Sequence, residues 1–273
     1  MSGAETRCAA VFDQARAQGR AALVGYLPAG FPSEAGGIDA IRTVIDAGVD
    51  LVEVGLPYSD PVMDGPVIQR ATERALAAGV RTVEVLRTVE AVAGAGAPVL
   101  LMTYWAPVER YGVDRFARDL AAAGGAGLIT PDLIPDEAEE WLAASDAHGL
   151  DRVFLVAPSS TDARLAATVA ACRGFVYAAA LMGVTGARDQ VSAAAPALVK
   201  RVRAVSTGVP VGVGLGVRDG RQASVVAGYA DAVIVGSALV SQLLDAPDEA
   251  TGLARLRDVA ADLAAGVRAP AAG

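Results

Sequence analysis

Leu51-Val52-Glu53-Val54-Gly55-Leu56-Pro57-Tyr58-Ser59-Asp60-Pro61-Val62-Met63-Asp64-Gly65-Pro66 puts one carboxylate inside an apolar strand and two more in the turn that follows. Val52, Val54 and Leu56 flank Glu53, and Gly48 and Gly55 bound the run, which reads as a buried strand of a parallel sheet. A glutamate there needs a reason. An ionised carboxylate left unpaired among apolar side chains is strongly disfavoured, so such a group keeps its proton to higher pH and can act as a proton donor. The plainer reading is a strand residue whose head group reaches solvent or an arginine, since structural ion pairs also perturb pKa values.

Similar segments recur on both sides of this one. Strands are predicted at 22–27, 51–55, 99–103, 127–130, 153–156, 175–179, 211–214 and 232–235. Helical patterns lie at 7–18, 34–47, 67–78, 83–93, 113–123, 136–147, 162–171, 196–205, 221–227, 238–244 and 249–267. Eight strand–helix units in a chain of 273 residues favour an α/β fold of the (β/α)8 TIM-barrel type, with an extra N-terminal helix and additional helices, over an open doubly wound sheet. No Pro/Ser-rich linker splits the chain, so one barrel domain is expected over 1–273, with the extra helix in 1–20 and a frayed tail at 268–273. Ser33 and Asp162 are N-cap candidates, and Gly48, Gly79, Gly124 and Gly149 stand where helices need a left-handed C-terminal residue.

Composition removes several classes of function. A formal charge of −8 offers no basic footprint for nucleic acid. Cys8 and Cys172 are too few for a disulfide framework and lack metal-ligand spacing, as expected of reduced thiols in a soluble, cytoplasmic protein. Early charges at Glu5, Arg7 and Asp13 do not fit a signal peptide, and no apolar run is long enough for a membrane span. The lone histidine, His148, reads as a helix C-terminal residue, and the lone lysine, Lys200, lies within a helix. Schiff-base chemistry, a histidine-ligated metal and a Ser-His-Asp triad therefore lack their residues. Acid–base work falls to carboxylates, tyrosines or backbone dipoles.

In a barrel the reactive groups gather at the C-terminal ends of the strands. Glu53 is near such an end, and Asp60 and Asp64 lie in the loop beyond it. Two carboxylates in unlike surroundings can divide into acid and base, although Asp64-Gly65-Pro66 can equally be a turn that opens a helix. Gly212-Val213-Gly214-Leu215-Gly216 after strand 7, with Gly236-Ser237 after strand 8, matches the usual phosphate site of the fold. Strand 6 carries Tyr177 and leads to Met182-Gly183-Val184-Thr185-Gly186-Ala187-Arg188, a glycine-punctuated stretch suited to a lid whose Thr185 reaches a loop carboxylate. Tyr26, Phe31, Tyr104 and Trp105 either line an aromatic pocket or pack in the core.

These motifs, Val-Glu-Val-Gly-Leu-Pro-Tyr-Ser-Asp-Pro-Val-Met-Asp-Gly-Pro from Val52, Gly-Val-Thr-Gly at 183–186, Val-Gly-Leu-Gly-Val at 213–217 and Val-Gly-Ser-Ala at 235–238, resemble the tryptophan synthase α subunit family along nearly the whole chain. The resemblance implies retro-aldol cleavage of indole-3-glycerol phosphate to indole and glyceraldehyde 3-phosphate, a lyase step of L-tryptophan biosynthesis, with no cofactor. It implies that Glu53 protonates the indole ring and helps to deprotonate the glycerol hydroxyl, while Asp64 stabilises charge at the ring nitrogen. Tyr177 then matches the active-site tyrosine, Thr185 the lid threonine, and Gly186, Gly216, Gly236 and Ser237 the phosphate cradle. The family's partner is a pyridoxal-phosphate-dependent β subunit in an α2β2 complex, and Asp60 matches a residue of that contact. Ala106 stands where the family usually has asparagine, and Pro131-Asp132-Leu133-Ile134 departs from the usual Pro-Asp-Leu-Pro on the same docking side. Two further readings stay open here: a stand-alone lyase releasing free indole for specialised metabolism, and a weakly catalytic activator of a β-type partner. A different barrel isomerase or synthase acting on a phosphorylated sugar or anthranilate intermediate is the remaining enzyme alternative.

Overall fold

The computed structural model of the protein describes residues 6–180, 188–205 and 208–271. Strands β1 (Ala22–Pro28), β2 (Leu51–Gly55), β3 (Val99–Met102), β4 (Gly127–Thr130), β5 (Asp151–Val156), β6 (Val176–Ala179), β7 (Val211–Gly214) and β8 (Ala232–Val235) pair in chain order, all in parallel. β8 returns to pair with β1 and closes the barrel. Around it lie α1 (Arg7–Ala17), α2 (Glu34–Asp46), α3 (Pro66–Ala77), α4 (Thr82–Val92), α5 (Trp105–Tyr111), α6 (Val113–Ala122), α7 (Glu139–Ala147), α8 (Asp162–Ala171), α9 (Arg188–Val205), α10 (Gly220–Ala227), α11 (Ser237–Leu244) and α12 (Glu249–Arg268).

Alternation along each strand divides the core into two shells. Val52, Val54, Leu101, Leu128 and Val233 face outward and pack with the helices. Ala22, Val24, Leu51, Leu100, Ile129, Val153, Phe175 and Ile234 face inward and fill the barrel. Cys8, Phe12 and Ala15 of α1 join this inner shell, and the Phe12 ring lies 5.5 Å from that of Phe175. Since Phe175 directly precedes β6, the Phe12 contact places α1 at the N-terminal end of the barrel, and the other end is left for chemistry. Glu53 takes the inward position after Leu51, beside Tyr26 of β1 and Leu100 of β3.

Helix ends follow local rules. Ser33 Oγ accepts the Gly36 amide at 3.0 Å and caps α2. Gly48, Gly79, Gly124 and Gly149 all have positive φ, as expected of left-handed residues after helices. His148 is the C-cap of α7, with Nε2 3.0 Å from Asp114.

Three expectations need correction. The cap of α8 is Thr161, whose Oγ1 accepts the Arg164 amide at 3.2 Å, and Asp162 is the first helical residue. α9 begins at Arg188, eight residues ahead of the expected 196, and carries Pro196 in its interior. The stretch after β3 folds into α5, a helix of seven residues too short to leave a periodic signature.

Candidate active site

A cavity of about 260 Å³ opens at the C-terminal end of the barrel, and it gathers most of the residues expected to carry chemistry. Glu53, Asp64 and Tyr177 line it with Tyr26, while Gly214, Gly216, Gly236 and Ser237 line it from β7 and β8. Thr185 and Gly186 lie outside the described residues.

Glu53 is fully buried, and among the described residues neither of its carboxylate oxygens has a hydrogen-bond partner. No described arginine engages it, which argues against the reading of a strand glutamate in an ion pair. Burial alone drives its carboxyl from the ordinary 4.5 up to about 8, because the apolar barrel wall penalises the charged form. Asp64, half-buried in the loop ahead of α3, is pushed by the same cause only to about 6, since it keeps more contact with water. At neutral pH one acid therefore holds its proton and the other does not.

Loop geometry explains how Asp64 is held. Gly65 is the N-cap of α3 and Pro66 its first residue, so the turn reading of Asp64-Gly65-Pro66 is correct in itself and also aims the carboxylate at the cavity. The Gln69 side-chain amide donates to the Asp64 carbonyl at 3.0 Å. The Met63 amide donates to Tyr104 Oη at 2.8 Å, and the Tyr104 ring stacks on Tyr58 at 5.1 Å. Tyr104 thus braces the loop that carries Asp64. Phe31 is a core side chain, with Arg74 over its ring, and is no part of the pocket.

The glycines divide into two kinds. Gly216 has φ +79° in the turn after β7, and Gly236, the N-cap of α11, lines the cavity together with Ser237, the first residue of that helix. Gly214 does something else. A Cβ built on it would come 2.5 Å from Tyr177 Oη, so its missing side chain is the space in which the Tyr177 ring lies. Gly212 is occupied likewise by packing, facing Ile234 and Phe175.

Several lining residues escaped sequence reasoning. Met102 and Leu155 stand two positions beyond the inward core residues Leu100 and Val153, so extending the strand period by one step finds them. Met63, Ile68, Pro131 and Leu215 belong to loops or a helix start and carry no such signal.

Outside the mouth lies a larger hollow of about 500 Å³, bounded by Pro57, Tyr58 and Asp60 on one side and by Ala106, Pro107 and Arg110 on the other. Asp60 and Ala106, expected at a partner contact, meet there. Ile134 does not join them; it borders a separate hollow with Ser160 and Arg164.

A closed eight-stranded parallel barrel whose C-terminal cavity gathers two carboxyls with raised pKa values and the start of a helix is of the TIM-barrel enzyme class. A sequence model of the family described as tryptophan synthase alpha chain matches residues 12–268. The tryptophan synthase alpha chain of Salinispora tropica is 69% identical over 266 residues, covering 97% of this chain and 99% of that one. The Mycobacterium tuberculosis alpha chain is 63% identical over 263 residues, covering 96% and 95%. A solved M. tuberculosis tryptophan synthase structure superposes with a TM-score of 0.89 at 62% identity, covering 96% of this chain and 98% of that one. The chain belongs to the tryptophan synthase alpha chain family, and it is a lyase that cleaves indole-3-glycerol phosphate.

Proposed function

We propose that Glu53 and Asp64 carry out the retro-aldol cleavage of indole-3-glycerol phosphate without a cofactor, Glu53 as the acid that becomes the base and Asp64 as the partner of the ring nitrogen. One observation supports this most: two carboxyls in one cavity, one raised to about 8 and the other to about 6, are set to opposite protonation states at neutral pH. Glu53 gives its proton to the indole carbon that bears the glycerol chain. The resulting cationic ring is neutralised as Asp64 takes the N–H proton. Glu53, now a carboxylate, accepts the proton of the hydroxyl on the adjacent chain carbon. That O–H pair becomes the aldehyde C=O, and the C–C bonding pair returns to the ring as the bond breaks. Asp64 hands its proton back to nitrogen, which leaves indole, glyceraldehyde 3-phosphate and an enzyme ready to repeat the cycle. Tyr177, well above its ordinary pKa through burial and then the nearby Glu53 charge, stays a neutral hydroxyl over the ring. Gly216, Gly236 and Ser237 hold the phosphate. Steady-state indole release by wild type, Asp64→Asn and Tyr177→Phe tests the assignment. A loss of about 10²-fold or more in Asp64→Asn is expected, and wild-type turnover in that variant removes Asp64 from the mechanism.

The chain works as one domain in the cytoplasm and docks a pyridoxal-phosphate-dependent β subunit through the barrel mouth. Val62, 81% exposed, and Met63 and Ile134 present apolar surface around that mouth, with Asp60 and Ala106 in the adjoining hollow. Among the described residues no helix is long and apolar enough to cross a membrane. Light scattering with an added β chain reads the association directly: a mixed complex supports it, and two separate species contradict it.

A further inference from the structure

Tyr26 projects from the inner face of β1, and its neighbours dictate where its ring goes. Its register partner on β2 is Glu53, and the next inward position on that strand is Gly55. A Cβ on Gly55 would lie 2.5 Å from Tyr26 Cζ and closer still to the hydroxyl, so the phenol fills the place of an absent side chain. The opposite edge of the ring rests against Gly236, whose added Cβ would be 3.3 Å from Tyr26 Cδ1. The hydroxyl therefore hangs at the root of the loop that carries Asp64, inside the same cavity.

Phenylalanine would fill this slot without bringing a hydroxyl into a buried site, where a polar group without a partner is disfavoured. The titratable groups facing Tyr26 are Asp64 in the loop after β2, Glu53 on β2, Tyr104 after β3 and Tyr177 on β6. Burial and then the Asp64 charge hold the phenol well above its ordinary pKa, so it remains a neutral O–H donor. Tyr177 lines the same cavity from β6, and no Lys or Arg among the described residues lines it to compete.

We propose that Tyr26 is a positioning residue for Asp64, its hydroxyl donating a hydrogen bond to the Asp64 carboxylate once the indole body fills the cavity, and that Gly55 gives the phenol the room to do so. This rests on the assignment of Asp64 as the group that takes the ring N–H proton. A donor on the ionised form favours that form, so removing it raises the pH at which Asp64 gives up its proton in the substrate complex. The pH dependence of kcat reports groups in that complex. In Tyr26→Phe the acid limb of kcat is expected to move up by about one pH unit, with the basic limb and the melting temperature unchanged. A packing role alone scales kcat at every pH and leaves the limb in place, and that result overturns the proposal. Asp64→Asn, measured alongside, separates the two layers: full activity there refutes the Asp64 assignment itself, whereas an inactive Asp64→Asn with an unmoved limb in Tyr26→Phe refutes only the role of the phenol.

Discussion

Replacing Glu53 by glutamine is expected to make the protein progressively more stable than wild type as the pH rises. Its carboxyl sits at about 8 in the folded protein against an ordinary 4.5, so the folded state binds that proton more tightly than the unfolded state does. Wild-type stability therefore falls as pH climbs from the unfolded value through the folded one, while a glutamine in the same place does not ionise. At roughly 1.4 kcal/mol per unit of pKa difference, the gap between the two proteins grows by about 3 kcal/mol between pH ~5.5 and pH ~9. Asp64 titrates in both proteins and drops out of the comparison. The buried amide adds an offset of its own that does not vary with pH, so the slope is diagnostic and the absolute difference is not. Urea unfolding of both proteins at several pH values measures it. A stability difference that stays flat across that range would refute the claim that the barrel wall, acting by desolvation, holds Glu53 protonated.

Catalysis should follow a bell in pH: kcat/KM is expected to fall below about 6, where Asp64 takes up its proton, and above about 8, where Glu53 loses its own. A profile flat from pH ~5 to ~9 would contradict both assignments. Tyr104→Phe removes the acceptor for the Met63 amide, and a fall of about 5-fold in kcat/KM is expected from the loosened loop, corresponding to a lost hydrogen bond of ~1 kcal/mol. Gly214→Ala puts a methyl group against Tyr177 Oη, so activity should fall at least ~10-fold while circular dichroism shows an intact fold; unchanged kinetics would mean that the tyrosine ring need not lie there. Asp60→Ala should weaken association with a β chain, read by titration calorimetry, and leave the intrinsic rate of the isolated chain within about 2-fold, since Asp60 is exposed and lies outside the cavity.

The barrel was legible because its strands are short apolar runs separated by helical periods, and β2, β4, β7 and β8 occupy the residues read from the sequence. Glu53 was legible for the opposite reason: it breaks the apolar pattern of β2, and such a break on an inward position has few structural explanations. Asp64 needed the loop after β2 to fold back over the mouth, and no local pattern in the sequence specifies that. Gly214 lines the cavity as expected, but its second role, leaving room for the Tyr177 ring, could not be read until that side chain is in place. The brace that Tyr104 makes was not legible, because it is a hydrogen bond to a backbone amide 41 residues earlier, a contact that only the closed barrel creates. α5 escaped because seven residues with a proline at the third leave no helical period.

Indole formation from indole-3-glycerol phosphate by Glu53→Gln at neutral pH tests the central claim most directly, since the amide keeps the shape of the side chain and removes only its proton transfer. A loss of about 10³-fold or more in kcat with substrate binding retained is the result expected of a group that serves as both acid and base. Turnover within about 3-fold of wild type would mean that the buried glutamate is not the proton donor, and the mechanism built on it would fail.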